Sequence, residues 1–280
     1  IQDGNIFHAF TWRFTDVTKY IKEIASQGFG AVQVSPVQGT AVAETDNAAS
    51  YMIDWWKYYQ PVNFSIGNGL GTKEDFTQMC QVAEEYGIKI IVDVVANHMA
   101  QGSGGTLYSK SEQIPADLRD DPSCWHSVRE MVSDGSRYDM TQKSLNGLPD
   151  LNTASPKVQS YVKNLLKECI EAGADGFRFD AAKHIELPAS IDGASGSDFW
   201  PNITSYAKSL KPDVYLYGEI LNTAGTSYSN YTQYIKITDS GQGSDIRSAI
   251  KSNNSSTSLV AYNCSGASAG DLVTWVESHD

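Results

Sequence analysis

Residues 88–98 have the sequence IKIIVDVVANH, a near-continuous apolar run that ends in a polar Asn-His pair. Such a run suits a parallel β-strand that is covered on both faces, because a strand with one wet face alternates polar and apolar residues. Residues 73–86 before it have helical spacing, and Gly87 follows them as a helix terminator. This stretch therefore predicts a helix followed by a buried parallel strand.

The same alternation of strand and helix extends along the chain in both directions. Apolar runs bounded by turn residues predict strands, and periodic segments between them predict helices. Strands that alternate with helices form a parallel sheet with right-handed crossovers. We therefore expect a (β/α)8 TIM barrel of the α/β class, with a doubly wound open sheet as the structural alternative. The predicted strands are 5–10, 31–34, 88–95, 175–180, 213–219, 234–238 and 271–277, and the predicted helices are 15–27, 73–86, 156–171, 198–209, 225–233 and 243–252.

Two long segments interrupt this alternation. Residues 36–72 are predicted to be a loop with a cluster of aromatic residues. Residues 98–154 lack a long periodic segment, and since structureless loops of that length are uncommon, they predict a small inserted domain. The barrel would then comprise residues 1–97 and 155–280. Seven strands precede Asp280, so we expect either that an eighth strand and its helix follow in a longer protein or that something else completes the barrel.

The charge and the cysteines exclude several classes of protein. The 280 residues include 21 Lys+Arg and 33 Asp+Glu, which gives a formal net charge of −12. A negative field repels phosphate backbones and anionic lipids, so we expect no nucleic acid and no membrane as partner. The four cysteines form no CxxC pair, which argues against a zinc ribbon or a redox motif. Cys80 and Cys169 lie in apolar helical patterns and are expected to be buried free thiols.

Four of the predicted strands end in carboxylates or imidazoles. Active sites of α/β barrels lie at the carboxyl ends of the strands, so we expect these groups on one rim. A single Asp after a strand is usually a helix cap, but four such strand ends are hard to attribute to chance. Arg178 and Asp180 share a face of one strand, so the guanidinium is expected to orient Asp180 and hold it ionised. The four strand ends are 93–98, 178–184, 218–219 and 277–280.

Three carboxylates at this rim, Asp180, Glu219 and Asp280, match the requirements of glycoside hydrolysis. One carboxylate attacks the anomeric carbon, and a protonated one supplies a proton to the leaving oxygen. A third can stabilise the positive charge of the transition state. The residue types alone leave open which carboxylate has which role.

Imidazoles and aromatic rings near this rim suit a sugar ligand. His98 and His279 would donate hydrogen bonds to sugar hydroxyls. Trp55, Trp56 and Tyr59 offer flat apolar faces for sugar rings, although the same cluster would also suit the core of a loop.

Four segments resemble the signature regions of the α-amylase family, glycoside hydrolase family 13. They occur in the order of the family and at the expected strands, and the likeness covers the whole chain. LPDLN at 148–152 resembles a fifth motif, in the inserted domain that the family calls domain B. The chain is most similar in look to secreted bacterial α-amylases of the Bacillus subtilis type. The four segments are DVVANH at 93–98, GFRFDAAKH at 176–184, GEIL at 218–221 and VESHD at 276–280.

This resemblance implies a retaining, endo-acting hydrolase of α-1,4-glucosidic bonds in starch. Asp180 would be the nucleophile, Glu219 the general acid and base, and Asp280 the stabiliser of the transition state. A transglycosylase or an exo-acting α-glucosidase is the alternative within the same chemistry, and a non-catalytic starch-binding protein is the alternative from another class. The implied substrate-binding residues are Trp55, Trp56, Tyr59, Gln60, His98, Arg178, Lys183, His184 and His279.

The resemblance also implies a structural calcium ion where domain B meets the barrel. The matching ligands are the side chains of Asn97 and Asp150 and the backbone carbonyls of Thr141 and His184, all of them hard oxygen donors. Some relatives bind chloride near the arginine that matches Arg178, but the sequence gives no place for a chloride ion here. We further expect a secreted monomer whose partners are starch and maltooligosaccharides.

Overall fold

The computed structural model describes residues 4–41, 54–133, 135–221, 223–252, 264 and 266–275 of the chain. The strands are β1 (Asn5–Ala9), β2 (Phe29–Val34), β3 (Gln38–Thr40), β4 (Pro61–Ile66), β5 (Lys89–Val94), β6 (Gly176–Phe179), β7 (Tyr215–Gly218), β8 (Lys236–Asp239) and β9 (Leu272–Thr274). The helices are α1 (Phe14–Ser26), α2 (Lys73–Glu85), α3 (Ala116–Arg119), α4 (Arg137–Gln142), α5 (Pro156–Glu171), α6 (Ala189–Asp192), α7 (Phe199–Leu210), α8 (Ser229–Thr232) and α9 (Ser240–Ser252).

The main sheet contains seven parallel strands in the order β1-β2-β5-β6-β7-β8-β9. This order follows the chain without a reversal. A doubly wound sheet reverses its strand order at a switch point, so that alternative is wrong. All seven predicted barrel strands are present, and together they form an open parallel sheet with the strand order of a (β/α)8 barrel.

The two faces of the sheet are both buried. Val92 and Phe177 lie in the larger core cluster together with the apolar faces of the helices. On the other face, Ala31, Ile91 and Tyr217 form a separate cluster inside the curve of the sheet. Burial on both faces explains why the strands are nearly continuous in apolar residues.

Two of the long helices begin where the sequence supplies the required residues. At α2 the Thr72 hydroxyl accepts from the Asp75 amide at 3.2 Å, and the Asp75 carboxylate accepts from the Thr72 amide at 2.9 Å. This reciprocal pair is a capping box. Pro156 occupies the first turn of α5, where its missing amide hydrogen is not needed. The predicted bounds of α5, residues 156–171, are confirmed.

The segment 36–72 is more ordered than the loop that the sequence predicts. Its described part contains the antiparallel pair β3 and β4, and residues 42–53 lie outside the described residues. The side-chain amide of Gln38 exchanges two hydrogen bonds with the backbone of Val95, at 2.8 and 3.0 Å. Because Gln38 and Val95 are far apart in the sequence, no local pattern could predict this pairing.

The segment between β5 and α5 contains the short helices α3 and α4 and otherwise irregular backbone. Its end returns beside its beginning, because the Leu151 amide donates to the Asn97 carbonyl at 2.9 Å and the Met99 amide donates to the Pro149 carbonyl at 3.1 Å. The division at residues 98 and 154 stays a prediction.

The cysteines and the helices of the described residues were compared with the predicted free thiols and with the requirements of a membrane-spanning helix. Cys80 and Cys169 are buried and unpaired, as predicted, and the same holds for Cys124 and Cys264. Within the described ranges, no helix has the length and apolar character that crossing a membrane requires.

Candidate active site

A cleft of about 350 Å³ opens at the carboxyl ends of the sheet strands. Asp180 follows β6 and Glu219 follows β7, and the neighbouring register of these strands pairs Phe179 with Gly218. The parallel pairing therefore brings the two carboxylates to the same part of the rim. The cleft is lined by Trp55, Trp56, Tyr59, Gln60, His98, Gln101, Leu145, Asn146, Leu148, Asp180, Ala181, Lys183, His184, Glu219 and Leu221.

The buried guanidinium of Arg178 connects three carboxylates beside this cleft. Its Nη1 atom donates to Asp180 Oδ1 at 2.7 Å and lies 2.9 Å from each carboxylate oxygen of Asp93. Its Nη2 atom lies 3.1 Å from Glu219 Oε2. The predicted contact between Arg178 and Asp180 is present, and the same arginine also binds Glu219.

Negative charge exceeds positive charge in this cluster. Burial raises the pKa of Asp180 well above its ordinary value, and the neighbouring charges of Glu219 and Asp93 raise it further. Arg178 acts in the opposite direction but does not cancel these effects. Arg178 favours the ionised form of Asp180, while burial and the other two carboxylates oppose it, and the expected ionisation of Asp180 stays a prediction. The cluster binds a proton more readily than an isolated aspartate would.

The turn after β6 orients Glu219. The Ala181 amide donates to Glu219 Oε2 at 2.9 Å, and Ala181 has a left-handed backbone with φ of 46°. The same oxygen also contacts Arg178. Because the Ala181 amide and the Arg178 guanidinium both contact Oε2, a proton carried by Glu219 would lie on Oε1. The arrangement can thus present one ionised and one protonated carboxyl group to the cleft.

His98 lines the cleft, and its predicted hydrogen bond to a sugar hydroxyl stays a prediction. Its Nε2–H donates to the Tyr59 carbonyl at 3.0 Å, and its Nδ1 atom lies 3.4 Å from the side-chain amide of Asn97. Burial lowers the pKa of His98 to about 4, so the ring is neutral near pH 7. The Tyr59 hydroxyl in turn donates to Asp93 at 2.9 Å. In this arrangement His98 positions Tyr59. A sugar hydroxyl could accept a hydrogen bond from His98 Nε2–H only by replacing the Tyr59 carbonyl.

The aromatic cluster lines the cleft instead of forming the core of a loop. Trp55 and Trp56 are 40% and 47% exposed, which is unusual for side chains of this size. The rings of Trp55 and Tyr59 meet edge to face with centroids 5.8 Å apart. The alternative in which these tryptophans form loop core is therefore wrong.

The four residues that supply the predicted calcium ligands are all buried. The Asn97 side chain donates to Asp150 Oδ1 at 3.1 Å. His184 Nδ1–H donates to the carbonyl of Met140, the residue before Thr141, at 2.9 Å. Within the described ranges, no group of three or more His, Cys, Asp or Glu is placed to hold a metal, so an ion here would need amide and carbonyl oxygens.

An imidazole that the sequence analysis missed separates two buried carboxylates at this junction. His126 Nδ1 lies 2.6 Å from Asp150 and its Nε2 lies 2.8 Å from Glu186. Burial raises the pKa of Asp150 to about 7 despite the hydrogen bond with His126. Burial lowers the pKa of His126, but its two carboxylate partners outweigh this and raise it to about 10. Two carboxylates against one imidazolium leave excess negative charge, and together with the hard oxygen donors this fits a calcium ion.

His279 and Asp280 lie outside the described residues, so the third predicted carboxylate is not seen beside the other two. Asp93, which begins the predicted strand end 93–98, belongs to the charge cluster, although the sequence analysis gave it no role. A signal existed, because Asp93 interrupts the apolar run of residues 88–96, and a buried charge needs a partner. No comparable signal marked Asn146 or Leu145, which reach the cleft from the inserted segment.

Comparisons with known proteins agree with this geometry. The family model for the α-amylase catalytic domain matches residues 14–244. The α-amylase of Clostridium acetobutylicum is 39% identical over 283 residues, covering 100% of this chain and 36% of that protein, and the α-amylase of Butyrivibrio fibrisolvens is 34% identical over 308 residues, covering 100% and 31%. The chain thus spans about a third of the length of these two relatives.

Solved structures share the fold at lower sequence identity. α-Amylase I from Eisenia fetida has a TM-score of 0.78 at 22% identity, covering 98% of this chain and 57% of that chain. A mutant of that protein in complex with maltohexaose has the same TM-score and identity, covering 99% and 58%.

Proposed function

The chain belongs to the α-amylase family, as a match to its catalytic domain, and we propose that it hydrolyses internal α-1,4-glucosidic bonds of starch and related α-glucans with retention of configuration. The observation that carries this proposal is the pair Asp180 and Glu219, which bind one buried guanidinium at the rim of a cleft. The exposed rings of Trp55 and Trp56 support a sugar ligand. The relatives named α-amylase, and the neighbour in complex with maltohexaose, point to the same substrate class.

The first step forms a bond between Asp180 and the anomeric carbon. As the carboxylate of Asp180 attacks, the bond from the anomeric carbon to the leaving oxygen breaks, and Glu219 gives its proton to that oxygen. Burial and the neighbouring carboxylates raise the pKa of Asp180, so the carboxylate cluster favours a bound proton, which the proposed mechanism assigns to Glu219. Binding of a sugar beside Glu219 would place the proton on Glu219 and leave Asp180 ionised against Arg178.

The second step returns both carboxyl groups to their starting states. Glu219, now ionised, accepts a proton from a water molecule whose oxygen attacks the anomeric carbon. The bond to Asp180 breaks, and the product keeps the configuration of the substrate. Asp280 would stabilise the positive charge of both transition states. Tyr59, Gln60, His98, Lys183, His184 and His279 would hold the sugars on either side of the scissile bond.

We also propose a calcium ion held by the side chains of Asn97 and Asp150 and the carbonyls of Thr141 and His184. When bound, the ion would supply structural cross-linking between the inserted segment and the barrel. The excess of buried carboxylate charge supports this assignment. We also propose that the chain divides into a barrel (1–97 and 155–280) and domain B (98–154). We further propose that the protein is secreted and monomeric.

The test is an NMR time course on maltoheptaose with the complete protein that carries this chain. A retaining endo-acting enzyme releases internal fragments whose new reducing ends are first seen as the α-anomer. Release of the β-anomer would contradict the double displacement. Products longer than the substrate would indicate a transglycosylase, and stepwise loss of single terminal sugars would indicate an exo-acting enzyme.

Glu219→Gln tests the acid. The amide has no proton to give to the leaving oxygen, so kcat on maltoheptaose should fall by about 10²–10⁴-fold while maltoheptaose still binds. Glu85→Gln, at the exposed end of α2, is the matched control and should keep full activity. Near-normal turnover by Glu219→Gln would contradict the assignment.

A further inference from the structure

The guanidinium of Arg137 joins segments that follow three successive strands of the barrel sheet. Arg137 begins α4, after β5, while Asp192 ends α6, after β6, and Tyr231 lies in α8, after β7. Arg137 donates from Nε and Nη2 to the two oxygens of Asp192 at 3.0 and 2.6 Å. Its Nη1 atom donates to the Tyr231 hydroxyl at 2.6 Å. A bidentate pair of this kind fixes both separation and orientation.

The backbone of Lys183 is the point on which these groups converge. Its carbonyl oxygen accepts from Arg137 Nη1 at 3.1 Å and from the Tyr231 hydroxyl at 3.3 Å. Lys183 is the middle residue of the short turn 182–184, whose other members are Ala182 and His184. We call Arg137, Asp192, Tyr231 and the Lys183 carbonyl the Arg137 clamp.

The clamp is buried, although none of its three side chains lines the catalytic cleft. The Asp192 side chain is 2% exposed and the Arg137 side chain 15%. Tyr231 is fully buried. Removal of one member of such a pair leaves an unpaired buried charge, so the network strongly resists displacement. The turn that carries Lys183 is therefore held from the side that faces away from the substrate.

The held turn is the wall of the cleft next to the general acid. Lys183 and His184 line the cleft with Glu219, and His184 is near enough for the charge of Glu219 to affect the pKa of its ring. Because Glu219 protonates the leaving oxygen, the leaving sugar must lie against this wall. Asp180 has a separate support in Arg178, so movement of the turn need not move the nucleophile.

We propose that Arg137 is a positioning residue for the leaving-group side of the cleft, acting through the backbone of Lys183. This inference rests on the proposed glycosidase function and deepens it. Loss of the clamp weakens contacts with sugars of the leaving group, while Asp180 and Glu219 keep their contacts with Arg178. Substrates with a sugar or a phenol as leaving group therefore separate this role from a general loss of folding.

The experiment compares two substrates in the complete protein. Maltoheptaose places sugars on both sides of the scissile bond, whereas 2-chloro-4-nitrophenyl maltotrioside has a phenol as leaving group. Arg137→Gln should lower kcat/KM for maltoheptaose by about tenfold, the size of one lost hydrogen-bonding contact, and leave the aryl substrate within about twofold. Arg137→Lys should give an intermediate loss, because an ammonium keeps the charge but cannot bind bidentately.

Two further variants complete the design. Tyr231→Phe removes one hydroxyl from the clamp and should shift the substrate ratio in the same direction by a smaller factor, so it decides the matter if Arg137→Gln does not fold. Arg119→Gln is the matched control, since Arg119 pairs with the exposed Asp120, and it should leave both substrates unchanged. Equal losses on both substrates, or no loss on either, would overturn the proposal. Failure of the wild-type protein to cleave either substrate would instead overturn the proposed function, and the inference with it.

Discussion

Asp93 shapes the charge at the nucleophile without reaching the substrate in the proposed mechanism. It is fully buried and shares the guanidinium of Arg178 with Asp180. Burial is the main cause of the raised pKa of Asp180, and the charge of Asp93 adds to it. The two aspartates therefore compete for the same arginine.

Asp93→Asn should move the acidic limb of the activity profile to lower pH. Removal of the neighbouring negative charge lowers the pKa of Asp180, so the ionised nucleophile persists into more acidic solution. A shift of about one pH unit in kcat/KM is expected from the loss of one nearby like charge. The profile on maltoheptaose measures it, with the exposed Asp117→Asn as control. An unchanged limb, or one shifted to higher pH, would contradict this account.

Single residues differ in how well the sequence predicts them. Asp180 and Glu219 were predictable because each follows an apolar strand, and parallel strands bring such ends together. The partner of Asp150 was not predictable, because this partner, His126, lies in an irregular segment whose sequence has no periodicity. Its role comes from burial between two carboxylates, which only the folded chain creates.

The end of β7 leaves no room for a side chain on the residue before Glu219. A Cβ atom at Gly218 would lie 2.6 Å from Ile235 Cδ1 and 2.7 Å from Ala182 Cβ. Both neighbours are packed in the core and cannot withdraw easily. Close packing around Gly218 fixes the position of the end of β7, and therefore the position of Glu219.

Gly218→Ala should lower both stability and turnover. The overpacked methyl group is expected to cost about 1–3 kcal/mol of unfolding free energy, and it displaces the strand end that carries Glu219. Thermal unfolding and kcat measure the two effects. Gly30→Ala, in β2, is the matched control, because nothing lies within 4 Å of its Cβ position. A Gly218→Ala protein as stable and active as Gly30→Ala would contradict the argument.

The turn after β6 offers a pair of substitutions with different expected effects on the unfolding free energy. Ala181 has φ of 46°, a conformation that costs an L-residue about 1–2 kcal/mol and costs glycine nothing. Ala181→Gly should therefore leave the unfolding free energy unchanged or raise it by up to about 1 kcal/mol. Ala182→Gly, in the buried turn that follows, should lower it by about 1 kcal/mol. Denaturant unfolding compares them, and equal destabilisation would contradict the assigned strain.

Elements were predictable where their stabilisation is local. α2 and α5 have apolar periodicity and terminal signals in their own sequence, and their bounds agree with the predictions to within one residue. β3 and β4 were missed because they are held by each other and by Val95, not by an alternating pattern. α8, Ser229–Thr232, is shorter than the predicted helix 225–233, and its Tyr231 is held by Arg137 of a distant segment.

At the scale of the whole molecule, the order of elements was sufficient to predict the sheet. Alternating strands and helices with right-handed crossovers leave few topologies, and a strand order without reversal distinguishes the barrel from the doubly wound sheet. The attachment of the inserted segment was not predictable in the same way. It depends on buried charged contacts between distant residues, such as His126 with Glu186 and Arg137 with Asp192.

Removal of the proposed calcium ion should loosen that attachment. An ion that binds only the folded protein stabilises it by about 2.7 kcal/mol at a hundred times its Kd, so excess EGTA should lower the Tm and added calcium should restore it. Added magnesium should not restore the Tm, because magnesium requires a tighter octahedral shell of oxygens.

Asp150→Asn should abolish the calcium dependence of the Tm, while Asp117→Asn, which changes an exposed carboxylate of the same segment, should keep it. Since a buried ion exchanges slowly, EGTA is applied by prolonged incubation and metal analysis confirms its removal. An unchanged Tm after confirmed removal would contradict the calcium site and leave His126 alone to balance Asp150 and Glu186.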